Sequence, residues 1–152
     1  MGEAILSRFP RRGSAWRPFL TKSGNKPKVL IADDEPIIAD TLQLILAQNG
    51  FEATAVYDGR RAVDRALRWR PDIFLTDIFM PALNGIEAAV LIVTRVPKCH
   101  ILLLSGHADS PDLWHEAYVQ GYDFPILQKP VPPEALIAHL WETVLEDSRE
   151  AS

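Results

Sequence analysis

Apolar and polar residues fall into blocks from residue 28 to residue 145, and the blocks change period as they go. Five short runs, Val29–Ala32, Phe51–Tyr57, Asp72–Thr76, His100–Leu104 and Phe124–Gln128, sit between turn and breaker residues, as buried strands do. Between them apolar residues recur at three- and four-residue steps, the spacing of one helix face. Ile38, Leu42, Ile45 and Leu46 form the first stripe, which opens at Pro36 and stops at Gly50. Ala62, Val63, Ala66, Leu67 and Trp69 form the second, over Arg60–Arg70, and Pro71 ends it. Ile86–Val96 is the third, broken by Pro97. Asp109, Ser110 and Pro111 open a fourth, with Leu113, Trp114, Ala117 and Tyr118, that runs to Gly121. Pro133 opens the last, striped by Leu136, Ile137, Leu140, Trp141, Val144 and Leu145.

Strict alternation of continuous apolar strands with helices places the chain in the α/β class, with a parallel sheet covered on both faces. Crossovers between parallel strands are right-handed, so the sheet is expected to be doubly wound. Residues 1–27 show no period, and Pro10, Gly13, Pro18, Gly24 and Pro27 interrupt each apolar cluster. The expected organisation is a basic N-terminal extension over 1–27, one domain over 28–147 and a tail over 148–152. There is no internal repeat, and no second domain is expected after residue 147.

Charge sharpens this picture. The net −4 of the 152 residues divides unevenly: residues 1–27 hold six basic residues against Glu3, net +5, and the rest holds ten against nineteen acids, net −9. An acidic body argues against direct nucleic-acid binding, which needs a basic face. The basic arm suits an anionic partner or surface, or simply a solvated end, and Ile5, Leu6, Phe9, Trp16, Phe19 and Leu20 could dock. No apolar run reaches the roughly 18–20 residues of a membrane span, and no secretory leader is legible, so a cytoplasmic location without membrane insertion is expected. The hydrophobic fraction of 47% is that of an ordinary globular domain. Cys99 is the sole cysteine, so it forms no internal disulfide and is expected to be buried. The four histidines are not at metal-ligand spacing.

In a doubly wound sheet, ligands bind beyond the carboxyl ends of the strands. Those ends here are Asp33-Asp34, Asp77, Ser105 and Lys129, with Tyr57-Asp58-Gly59 reading as turn chemistry. Aspartates at such places are often caps, taken one at a time. Three carboxylates brought together repel one another and call for a cation. Oxygen-only ligands with room for water suit Mg²⁺.

The stretches Leu30-Ile31-Ala32-Asp33-Asp34-Glu35-Pro36, Asp77-Ile78-Phe79-Met80-Pro81, Leu103-Leu104-Ser105-Gly106 and Lys129-Pro130 closely resemble the response-regulator receiver domains of two-component signalling, in the family's order. The likeness covers about Lys28 to Leu145. It implies a flavodoxin-like (βα)5 fold with strand order 2-1-3-4-5, and a phosphoacceptor switch rather than an enzyme acting on other substrates. Asp77 matches the phosphoacceptor, Asp34 a direct Mg²⁺ ligand and Asp33 its neighbour holding the ion through water. The carbonyl of Phe79 would complete the protein ligands. Ser105 matches the hydroxyl that binds the phosphoryl oxygens, Lys129 the ammonium that pairs with them, and Pro130 the cis-peptide position. The implied partners are a histidine kinase or phosphotransfer protein, and a downstream protein target. The face expected to read the switch is the fourth helix, fifth strand and fifth helix, where Trp114, His115, Tyr118 and Trp141 could supply contacts, and a homodimer could use the same face.

The chain departs from the family at Ile126, three residues before Lys129, where most receivers carry an aromatic that swings inward. Either Phe124 takes over through a bulge or Ile126 packs there without an aromatic. Phe79 and His107, each two residues past a site residue, stand where the family tunes phosphoryl lifetime. A phosphorylation-independent binding module on the same fold is the second reading. A phosphatase-type aspartyl-phosphate enzyme ranks low, because Phe79 stands where its second acid would be.

Overall fold

The computed structural model describes residues 25–106 and 111–150. Five strands alternate with five helices: β1 (Lys28–Ala32), α1 (Pro36–Ala47), β2 (Glu52–Val56), α2 (Gly59–Trp69), β3 (Ile73–Asp77), α3 (Gly85–Arg95), β4 (His100–Ser105), α4 (Pro111–Val119), β5 (Ile126–Gln128) and α5 (Pro133–Glu150). All strands pair in parallel, in the order β2-β1-β3-β4-β5. The sheet is doubly wound, as the alternation implied.

The central strands carry continuous apolar runs because successive side chains enter different cores. Leu30, Phe74, Ile101 and Leu103 face one, against Ala62 and Ala66 of α2 and Ala89 and Ile92 of α3. Val29, Ile31, Ile73, Leu75, Leu102 and Leu104 face the other, against α1 and α5. The helix ends follow local chemistry. Asp58 caps α2 by accepting the Arg61 amide at 2.8 Å, and Asn84 and Glu87 form a reciprocal box at the start of α3. Gly50, at φ 96°, allows the left-handed turn after α1.

Three expectations are corrected. Trp141 supplies no surface contact: it is 1% exposed, packs on Phe51 with ring centroids 4.5 Å apart, and donates its indole N–H to Asn49 O at 3.2 Å. Helix α5 runs to Glu150, past the expected boundary at 147. β5 spans Ile126–Gln128 and does not begin at Phe124. The backbone explains the shorter strand. Leu103 N–H donates to Pro125 O at 2.9 Å and Lys129 N–H to Ser105 O at 2.8 Å, so these odd-numbered residues of β4 face β5. The next carbonyl down, that of Ile101, would need an amide from residue 125, and proline has none. Pairing stops there. Phe124 therefore lies before the strand, half-buried and stacked with Tyr122 at 5.6 Å, while Ile126 is 36% exposed.

Cys99 is buried as expected, 4% exposed. Burial first, and then the charge of Asp72, push its thiol up to about 12, against a hydrogen bond at the Phe74 backbone that lowers it. At pH 8 the folded protein then holds roughly one thiolate in 10⁴. Iodoacetamide at that pH should leave the native chain unmodified and alkylate it fully in denaturant, as mass spectrometry would show.

Candidate functional site at the carboxyl edge of the sheet

The tips of β1 and β3 are neighbours, with Ala32 in register with Thr76. Asp33 and Asp34 follow one tip and Asp77 ends the other. Each offers a carboxylate oxygen within 4.8 Å of the others, so the structure brings together the three acids that the sequence placed at strand ends. Their environments differ. Asp33 is 2% exposed and receives the Glu35 amide on Oδ1 at 2.9 Å, whereas Asp34 is exposed. Asp33 Oδ2 is buried without a hydrogen-bond partner.

Lys129 reaches the same place from the end of β5. Its Nζ lies 3.2 Å from Asp77 Oδ1 and 3.6 Å from Asp33 Oδ2. Burial pulls the ammonium's pKa down, but Asp77 and then Asp33 outweigh it, and the net shift is upward. The lysine therefore stays charged at neutral pH. Its backbone is fixed by the Lys129–Ser105 hydrogen bond, and the Lys129–Pro130 peptide is cis, the isomer the resemblance implied.

Three carboxylates against one ammonium leave a formal −2 in a half-enclosed pocket. An uncompensated charge of that size is costly away from bulk water. A divalent, oxygen-seeking cation would cancel it and satisfy Asp33 Oδ2, so the donor set fits Mg²⁺.

Ser105 and Phe79 are the other expected residues within the described chain. Ser105 ends β4, but its Oγ donates to Gly106 O at 3.2 Å. Phe79, two residues beyond Asp77, has its side chain 46% exposed, and its part as a carbonyl ligand rests on the resemblance alone. His107 lies outside the described residues.

Two positioning features escaped the sequence reading. Leu83 N–H donates to Pro81 O at 2.8 Å around Ala82, whose φ is 68°, a strained γ-turn beside the pocket. Alanine carries no signal for that conformation. Gly85 opens α3 directly behind Asp77: its N–H donates to Ile78 O at 2.8 Å, and a Cβ there would overlap the Asp77 carbonyl oxygen. Gly85→Ala should therefore displace the tip of β3, lowering stability in a urea melt by about 1–3 kcal/mol and weakening any ligand binding that uses Asp77.

A parallel five-stranded sheet bearing an acidic trio and a lysine at its carboxyl edge is the arrangement that the receiver-domain resemblance implies. Comparison with known proteins agrees. The family described as response regulator receiver domain matches residues 29–141. The chain is 30% identical over 121 residues to the DNA-binding response regulator MtrA of Mycolicibacterium smegmatis, covering 76% of this chain and 49% of that protein. It is 35% identical over 117 residues to the transcriptional regulatory protein DegU of Brevibacillus brevis, covering 74% and 48%. It thus spans about half the length of the curated relatives it matches. Among solved structures, a CheY-like receiver domain protein from Methanospirillum hungatei superposes with TM-score 0.76 at 24% identity, covering 83% of this chain and 99% of that one. Vibrio cholerae CheY4, a chemotaxis protein, gives 0.67 at 31% identity, covering 78% and 98%. The chain belongs to the response regulator receiver domain family of two-component signalling.

Proposed function

We propose that this domain accepts a phosphoryl group on Asp77, with Mg²⁺ held by Asp33 and Asp34 beside it, and that the modified domain binds a protein target. The observation that carries the reading is the convergence of Lys129 Nζ, 3.2 Å from Asp77 Oδ1, with three carboxylates whose oxygens lie within 4.8 Å. In the transfer, an oxygen of the Asp77 carboxylate attacks phosphorus in line. The P–N bond of a phosphohistidine donor breaks as the O–P bond forms, and the imidazole leaves with a proton from water. Such a transfer depends mainly on positioning and on neutralising the phosphoryl oxygens. The ion, when bound, supplies positive charge to those oxygens. Lys129 supplies a second positive charge, moving from Asp77 to the new phosphoryl group. Ser105 would release the Gly106 carbonyl and donate to the same group. The phosphoryl adds about −1.5 to −2 of charge, enough to reset a nearby two-state segment.

The donor would be a histidine kinase or phosphotransfer protein and the readers cytoplasmic proteins. The face of α4, β5 and α5 offers exposed His115 and 55% exposed Tyr118 to a target or a second copy. Among the described residues no helix is long and apolar enough to cross a membrane. A phosphorylation-independent binding module draws support from Ile126, which puts a half-open aliphatic where the usual switch aromatic stands.

Acetyl phosphate with Mg²⁺ should give a phosphoryl adduct by intact mass and change tryptophan fluorescence, and a chelator should prevent both. Mg²⁺ at about a hundred times its Kd should also add about 2.7 kcal/mol to unfolding stability. A protein stabilised by Mg²⁺ that takes up no phosphoryl group would favour the binding module instead.

A further inference from the structure

At the edge of the sheet opposite the acidic pocket, a cleft of ≈ 350 Å³ lies among the lower end of β4, residues 123–125 and α5. That size is at the lower end of the roughly 300–1,000 Å³ typical of ligand pockets. Its inner wall is apolar, with Ile101, Leu102 and Leu140, and its rim carries Asp123, Glu142 and Glu146, all exposed. The opening follows from Pro125, which ends pairing along β4. Four residue steps along β3, about 13 Å, separate Ile73 at this edge from Asp77, so the cleft has no part in the phosphoryl chemistry.

The N-terminal arm leaves the body at this same edge. Pro27 O accepts the Glu52 amide at 2.9 Å and Lys28 O accepts that of Asp72 at 2.9 Å, which fixes the chain just ahead of β1. Val29 is in register with Ile73, itself a residue of the cleft, and Ile73 with His100 on β4. Two strand spacings, about 10 Å, therefore separate the root of the arm from the cleft. The nine residue steps from Trp16 to Asn25 can span up to about 30 Å. The arm brings Arg17 and Lys22 interleaved with Trp16 and Phe19, positive charge to oppose the acidic rim and apolar side chains to match the wall.

We propose that residues 16–22 of this chain's own arm dock in the cleft, with Trp16 and Phe19 on the apolar wall and Arg17 and Lys22 against Asp123, Glu142 and Glu146. Tethering makes the contact efficient. A short linker gives an effective concentration in the millimolar range, so an interaction of only millimolar strength is half occupied.

Zero-length carbodiimide coupling on the full chain, with light and ¹⁵N-labelled protein mixed, tests this. Lys22 should join Glu142 and Glu146 within one chain. At 1 M salt, where screening reaches about 3 Å, and in Trp16→Ala with Phe19→Ala, the yield should fall at least about threefold, with circular dichroism unchanged. Three results would overturn the proposal. Products pairing light with heavy chains would put the arm on a second copy. Coupling spread over remote carboxylates such as Glu87 and Glu116, or a yield indifferent to the aromatic substitutions, would show a tethered arm without a seat.

Discussion

Asp77→Asn should abolish the phosphoryl adduct while leaving the fold intact. The amide that replaces the carboxylate is a poor nucleophile and cannot form the acyl phosphate, so the loss should be complete at every donor concentration. The fold is expected to survive because β3 is held by its backbone ladder to β1 and β4 and by the buried Phe74 and Leu75. The pocket's formal charge rises from −2 to −1, and Lys129 keeps only its ion pair with Asp33, at 3.6 Å. Mg²⁺ should still stabilise the variant, though less. Each tenfold loss of affinity removes about 1.4 kcal/mol at fixed excess metal. Intact mass after acetyl phosphate treatment, beside thermal melts with and without Mg²⁺, checks all of this. Wild-type adduct yield on the Asn variant would place the acceptor on another residue.

The largest effect on stability is expected from Trp141→Ala. The side chain is 1% exposed and packs on Phe51 at 4.5 Å, joining α5 to the chain between α1 and β2. Deleting an aromatic of this kind from a core costs about 3–5 kcal/mol, a large share of the roughly 5–15 kcal/mol that holds a domain together. Urea unfolding should show that loss with little change in slope. Trp141→Phe should recover most of the packing but leave Asn49 O without the indole donor, a deficit of about 1 kcal/mol. A cost below 1 kcal/mol for the alanine variant would mean that α5 is held elsewhere.

Trp141 also shows where sequence reading stops. Its place on an apolar stripe at helical spacing was legible, but that stripe alone does not say which aromatics the sheet will cover. The central strands were readable because both their faces are buried, which gives β1, β3 and β4 the unbroken apolar runs Val29–Ala32, Ile73–Leu75 and Ile101–Leu104. β5 was drawn too long because composition favours Phe124 and Ile126 alike, while the ladder depends on one amide that Pro125 lacks. The three acids were found because each ends a strand, and strand ends of a parallel sheet meet. That Asp33 is enclosed while Asp34 faces solvent depends on how the loop turns, through the Glu35 amide on Asp33 Oδ1. Gly85 carries no mark in the sequence, since only tertiary packing sets the Asp77 carbonyl behind it.

Pro125 has one more consequence, for behaviour in concentrated solution. Open sheet margins invite other chains to add strands, the first step of ordered aggregation. Here the outermost strand is three residues long and is bracketed by Pro125 and Pro130. A foreign strand would find hardly any ladder to copy, so crowded molecules should meet on this side through side chains alone, not by extending one another's sheets.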